Sequence, residues 1–298
     1  MQNLFRNVSS NQFPFWRIKT FWLLIATSLV FAPALQGFIN FGVVWLQYVG
    51  FTSAEAAGIE SMRRAGASIG FLCSGWVGDR FYKMDQLKKR NSDFVDNFFK
   101  NKIVSVIISN HNRYHGRPIA AFLVMGCSLP CVWMLFSSGS WNPNPQQFVD
   151  PASIYDEEYP PSVEPVSAYF GLYTTGIFLF LITLLQTCSQ MILARPLLAE
   201  IAPPKFCARV VAYTCCIESM IGAIAPGVVA TISEDIFGYA PSRLEMTDIS
   251  SADRFSNADA LRKSFLVTQV IGIIGTMICF VLINRTVRED VQNASRSA

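Results

Sequence analysis

Charge is what this sequence has least of. Only 15% of its 298 residues are Asp, Glu, Lys or Arg, while 51% are hydrophobic and 24 are Phe; a soluble domain carries about a quarter charged residues. That balance excludes a soluble globular fold and points to a polytopic membrane protein. Cysteine is missing where a disulfide framework needs it. All eight cysteines (73, 127, 131, 188, 207, 215, 216 and 279) lie in apolar runs or at their cytoplasmic ends, and the expected outer loops hold none, so the thiols read as small core packers. Catalytic motifs are missing too. There is no P-loop, no GxGxxG after a strand, no HExxH and no serine elbow, so no enzyme, cofactor or nucleic-acid partner is expected. Cys127/Cys131 and His111/His115 are each one helical turn apart without a second ligand pair, so no metal is expected either. A signal-peptide pattern is absent: Met1–Lys19 is polar, and the apolar run behind it is far too long for a signal core.

What is present is six apolar stretches, each long enough for the roughly 20 helical residues that cross a bilayer. They are Thr20–Val49, Ser53–Gly78, Pro118–Ser137, Ala168–Ala194, Phe206–Ile232 and Ser264–Asn284. The first is uncharged and overlong, and bendable at Pro33, Gly37 and Gly42. Basic residues set the orientation. Residues 1–19 hold three basic residues and no acid; segment 79–117 holds nine against four acids; segment 138–167 holds five acids and no Lys or Arg. Both termini therefore belong in the cytoplasm. The parts are a cytoplasmic segment 1–19, a bundle 20–284 and a cytoplasmic tail 285–298, with an inner loop 79–117 and outer loops 138–167 and 233–263. The outer loop 233–263 fits least well, since Arg243, Arg254, Arg262 and Lys263 offset its six acids. Within the inner loop, Phe94, Phe98, Phe99, Ile103, Val106 and Ile107 recur at helical spacing, the pattern of a helix in the cytoplasmic interface or on the bundle floor.

Ionisable residues inside spans are costly and so are functional candidates. Glu60, Arg63 and Arg64 lie inside the second span, with Glu60 one turn before both arginines. Either they form a self-contained pair that orients the helix, or one guanidinium remains free for an anionic group, since one acid cannot neutralise two arginines. Glu218 lies about 13.5 Å beyond Arg209 along the fifth span at 1.5 Å per residue, which places it near mid-membrane. It is a candidate substrate contact, proton carrier or partner of Arg63 or Arg64. Gln36 and Asn40 give the first span a polar face, so Arg63, Arg64, Glu218, Gln36 and Asn40 are expected to border one cavity. Along the second span Gly66, Gly70, Ser74 and Gly78 recur every four residues, a small-residue strip that lets another helix approach closely. The strip ends at Asp79-Arg80. Between the fourth and fifth spans, Arg195, Glu200 and Arg209 bracket the turn at Pro203-Pro204, with Glu200 expected near the positive end of the fifth helix.

These residues together resemble the major facilitator superfamily of secondary transporters. GWVGDRF, from Gly75 through Gly78 to Arg80, looks like its Gly-x-x-x-Asp-Arg signature. RPLLAEIAPPKF followed by IESMIGAIAPGVVATISEDIFGYAP is similar to the tenth and eleventh helices of Spinster-like members, and the run from Phe21 to Ile59 to their seventh. The resemblance spans about residues 15–285. It implies an all-α membrane protein whose six transmembrane helices form one half of a major facilitator fold, the C-terminal half. It further implies alternating access against a missing N-terminal half or a second chain, and a small organic anion or amphipathic lipid as substrate. The expected setting is a plasma or endolysosomal membrane. Asp79, Arg80, Arg195, Glu200 and Arg209 are then expected to form a cytoplasmic gating network, with the Gly75/Gly78 face turned to the missing half. The chain departs from the family in lacking the first six helices, in a long insert before Gly116-Arg117-Pro118, in a late Arg209, and in Arg63 and Arg64 themselves. A membrane subunit that only packs against a partner is the alternative reading. The orientation makes a testable statement: Asn7, Asn284 and Asn293, each in an N-x-Ser/Thr sequon, carry no glycan in a glycosylation-competent host, and a sugar on Asn293 would invert the topology.

Overall fold

The computed structural model describes residues 18–90, 116–137, 166–202, 206–241 and 249–297. Residues 91–115, where an interfacial or bundle-floor helix was expected, residues 138–165 and Pro203-Pro204 lie outside the described residues, as do the side chains of Asp79 and Arg195. Six long helices make up the description: α1 (Lys19–Val49), α2 (Ser53–Arg90), α3 (Gly116–Ser137), α4 (Val166–Ile201), α5 (Cys207–Thr231) and α6 (Ser251–Ser297). A π-helical turn, Ile232–Ile236, extends α5. Five of the six are long and apolar enough to cross a membrane by composition alone. The sixth, α2, has 38 residues, and its interior charges at Glu60, Arg63 and Arg64 are what lower its apolar character.

Local chemistry explains the helix ends. Gly50 adopts φ 114° and its N–H reaches back to Gln47 and Leu46, a left-handed stop that glycine accepts without steric cost. Two residues on, a capping box starts α2. The Thr52 N–H and hydroxyl donate to Glu55 at 2.8 and 3.0 Å, and the Glu55 N–H returns to the Thr52 hydroxyl at 3.3 Å. The same device starts α6: the Asp253 N–H donates to Ser250 Oγ at 3.2 Å, and that hydroxyl donates to Asp253 at 2.7 Å. The helix therefore begins at Ser251, and half of the segment expected as outer loop 233–263 is helical. Its charges are used locally. Asp259 binds Arg262 and Lys263, each at 2.6 Å, and Arg254 donates to the Gln47 carbonyl at 3.1 Å. Nearby, Asn257 exchanges two hydrogen bonds with the Ala240 backbone, each of 3.0 Å. Burial and the neighbouring Tyr48 push the Tyr239 phenol well above its usual range.

Residues 285–297 continue α6, and its end clamps the start of α1: the Thr20 N–H donates to the buried Asp290 carboxylate at 2.7 Å, and the Thr20 and Thr286 hydroxyls meet at 3.1 Å. An acid there offsets the positive end of α1.

The helices pack in a pattern that survives exchanging the first three with the last three. α1 lies along α6 as α4 lies along α3, and α2 lies along α4 as α5 lies along α1. This is the arrangement of two inverted three-helix repeats. An aromatic cluster fastens α1, α3 and α6: Phe38 meets Phe265 at 5.1 Å, and Trp45 meets Phe136 at 5.7 Å and Phe265 at 5.9 Å. The exchange is imperfect at α5. Only 11% of its most apolar stretch is buried, against 39–44% for the other four apolar helices.

The small-residue strip divides between two jobs. A side chain at Gly66 would strike the Phe180 carbonyl, and one at Gly70 would come 2.7 Å from the Leu184 carbonyl, so these positions let α2 lie directly on α4. Ser74 is buried and its hydroxyl donates to the Phe71 carbonyl at 2.7 Å. Gly75 and Gly78 have nothing within 4 Å of an added Cβ. Gly66→Ala is therefore expected to destabilise the purified chain by about 1–3 kcal/mol through overpacking, while Gly75→Ala is neutral or slightly stabilising. Thermal unfolding in detergent compares them, and equal losses would contradict this division.

Candidate functional site

One carboxylate organises the middle of α2. Glu60 precedes Arg63 by three residues and Arg64 by four, so helical spacing brings both guanidinium groups to it. Arg63 binds it with two parallel contacts, Nε to Oε2 and Nη2 to Oε1, both 2.6 Å, and Arg64 Nε donates to Oε1 at 3.0 Å. The two arginines differ in surroundings. The Arg63 side chain is 7% exposed and that of Arg64 is 71% exposed. The triad keeps one positive charge in excess, and Arg64 is the member that presents it outward. Arg64 lies about 16 Å along α2 from Ser53 at 1.5 Å per residue.

Arg63 points inward instead. It lines a cavity of about 10 Å³ with Leu35, Phe38, Thr183, Gln186 and Gln269, roughly the room of one water. Beside it the Gln186 amide donates to Gln269 Oε1 at 2.8 Å, and Gln269 donates to the Ala34 carbonyl at 3.1 Å. This polar chain joins α4, α6 and α1 next to the ion pair. Sequence reasoning missed Gln269, a lone amide in an apolar run.

The expected single cavity is not what forms. Among the described residues Glu218 pairs with neither arginine; its Oε1 accepts from Ser28 Oγ at 3.0 Å, across the α1–α5 seam. Ser28 is about 10–15 Å nearer the Lys19 end of α1 than Leu35 and Phe38, which flank Arg63. The reason is length. With its π turn, α5 runs 30 residues, so the position of Glu218 is a third of the way along and not the middle. Gln36 and Asn40 stay at the Arg63 level. The Gln36 amide packs 3.5 Å from where a Gly222 side chain would begin, and the exposed Asn40 donates to the Gln36 carbonyl at 2.7 Å.

At the end of α4 stands Glu200, which does not open α5; it binds Arg117 of α3 at 2.6 Å. Arg117 was not among the expected network, and its place just before Pro118 was the available signal. Arg80 is exposed with its guanidinium 5.7 Å from the Trp76 ring centre, and Arg209 lies 6.0 Å from that of Phe206. Neither pairs with Glu200 among the described residues.

No family model and no curated protein matches the sequence. A solved structure does match, the crystal structure of a bacterial homolog to the human lysosomal transporter Spinster, in an inward-facing and occupied conformation. The TM-score is 0.54 at 16% identity, covering 93% of this chain and 51% of that one. The chain thus spans about half the length of the protein it matches. At this identity the likeness shows the fold alone: an all-α bundle of six long helices, five of them long and apolar enough to cross a membrane, arranged as in half of that larger protein.

Removing Glu60 tests the triad. Glu60→Gln strands the buried Arg63 and is expected to cost about 3–5 kcal/mol, seen as a large loss of thermal stability. Arg64→Gln, at an exposed position, leaves stability nearly unchanged.

Proposed function

We propose that the chain is one half of a secondary transporter that moves a small organic anion or an amphipathic lipid with an anionic head group by alternating access. The observation that carries the reading is Arg64. A guanidinium in mid-span is expensive in hydrocarbon, by at least about 2.5–3.5 kcal/mol on insertion scales. This one is 71% exposed and held in place by Glu60, so it needs water or a protein partner over it, not lipid. The remaining N–H groups of a guanidinium so fixed suit a carboxylate or phosphate. Arg63 anchors the triad from inside, and Gln36 and Asn40 supply polar groups at the same level.

The open helix faces support a second half. On α2, Ala57, Ser61, Ser68 and Gly75 are exposed on Arg64's side together with the larger Phe71, and on α5 Ala212, Cys216, Ala223 and Gly227 are exposed along one side together with Met220. Small side chains on an unpaired face fit close helix packing better than lipid. The partner is another six-helix half, whether in the same polypeptide or a separate chain, and the two halves rock about the shared site. Both termini are cytoplasmic in this reading. Arg117–Glu200, with Asp79, Arg80, Arg195 and Arg209 around the same end, is the charged set that such rocking rearranges.

Uptake in cells that also supply the partner half tests the assignment. Arg64→Gln is expected to reach the membrane at normal levels and lose at least about tenfold in uptake, the loss of one charge-assisted contact. Arg63→Gln is expected to fail earlier, in folding and expression. Undiminished uptake by Arg64→Gln would remove the anion site.

A further inference from the structure

We propose that Glu218 is a proton-binding site of this carrier, with the Ser28 hydroxyl as the switch that satisfies it in both protonation states. The proposal rests on the transporter reading above and adds the coupling ion to it.

The first argument is the missing countercharge. Glu218 is half-buried on α5, and its described bond is to Ser28 alone. α5 packs chiefly on α1, and lightly on α4 and α6. α1 has no charged residue from Thr20 to Val49, α4 none from Ala168 to Ala194, and α6 none from Ser264 to Asn284. The other titratable groups on these stretches are the Tyr48 phenol on α1, Tyr169, Tyr173 and the Cys188 thiol on α4, and the Cys279 thiol on α6. On α5 itself stand Cys207, Tyr213, Cys215, Cys216 and Arg209, the last turned to Phe206; Glu234 and Asp235 lie in the far π turn. Among the described residues no cation is bonded to the carboxylate, the packed stretches 20–49, 168–194 and 264–284 hold none, and an uncompensated charge in an apolar span is costly. A metal ion does not fit the gap. Hard cations want a shell of several oxygens, and Glu218 has beside it one hydroxyl and, behind that, one carbonyl.

The second argument is the geometry of Ser28. Its hydroxyl lies 3.0 Å from Glu218 Oε1 and 3.4 Å from the Leu24 carbonyl. A hydroxyl has a single proton to give and two lone pairs to receive with, so these acceptors are alternatives. With Glu218 ionised, Ser28 donates to Oε1. When a proton from water on one side of the membrane converts the carboxylate to the acid, the acid O–H donates to Ser28 Oγ, and the Ser28 proton turns to Leu24. Release reverses both steps and returns the proton to water on the other side. The charge-assisted bond is the stronger of the two, and it fastens α5, the least buried helix, to α1. Proton binding thus loosens the seam about which α5 is held, while Arg64 takes the anion 10–15 Å away along the bundle.

Infrared difference spectroscopy on the purified chain in lipid nanodiscs reads this without transport. The wild type is expected to show a carboxylic-acid C=O band that grows on acidification and is absent from Glu218→Gln. Ser28→Ala is expected to keep the band and shift its frequency, because the acid loses its acceptor. A wild-type spectrum whose pH dependence is identical to that of Glu218→Gln would overturn the proposal, as would a band unmoved by Ser28→Ala. If Glu218→Gln does not fold, the Ser28→Ala shift alone decides. Failure here leaves the Arg64 anion site standing, since that is judged by uptake; loss of the Arg64 effect with an intact band would separate the two the other way.

Discussion

A bidentate ion pair inside an apolar helix bundle is the constraint on which the rest depends. Arg63 and Glu60 are both nearly buried and bound through two contacts of 2.6 Å. Such a pair gains little net stability over apolar packing, yet is destructive to break, because either charge left alone keeps its full desolvation cost. Its consequence is positional. Glu60 is fixed by Arg63, and Arg64, four residues beyond Glu60, is thereby held outward as a charge that lipid cannot cover. The Gln186–Gln269–Ala34 chain around Arg63 extends that rigidity into α4, α6 and α1.

The bundle around this pair is unequal by design of its sequence. Gly66 and Gly70 press α2 onto α4, whereas α5, its counterpart under the repeat exchange, has a single substantial neighbour in α1. The rigid side carries the outward arginine, and the looser side carries Glu218. Two charged groups of opposite sign thus sit on helices of different packing, Arg64 on the closely seated α2 and Glu218 on the lightly packed α5.

Much of the fold was legible because its signals are coarse. Apolar runs marked all six long helices. The helices outran those runs where short capping signals acted. Ser250-x-x-Asp253 starts α6 well before its apolar stretch, and Asp290 gives the far end a task at Thr20, a contact 270 residues apart in sequence that no local pattern reveals. In the site, the Glu60–Arg63–Arg64 triad was legible since all three lie within two turns of one helix. What was not legible was register between helices. Glu218 looked central when measured from Arg209, and only its seat opposite Ser28 shows it a little over a third of the way along α5. Arg117 was passed over for a similar reason, because its partner Glu200 comes from α4.

The central claim is that the face of α2 beside Arg64 looks into water or protein and the adjacent face into lipid. Single cysteines in a background without the eight native ones measure this directly. Ser61→Cys and Ser68→Cys, on the Arg64 face, are expected to react with a membrane-impermeant thiol reagent in the assembled protein, and to be protected by an anionic substrate. Ile69→Cys and Trp76→Cys, on the apolar side, are expected to stay unreactive. Protection of Ser61→Cys and Ser68→Cys equal to that of Ile69→Cys, with or without substrate, would contradict the account.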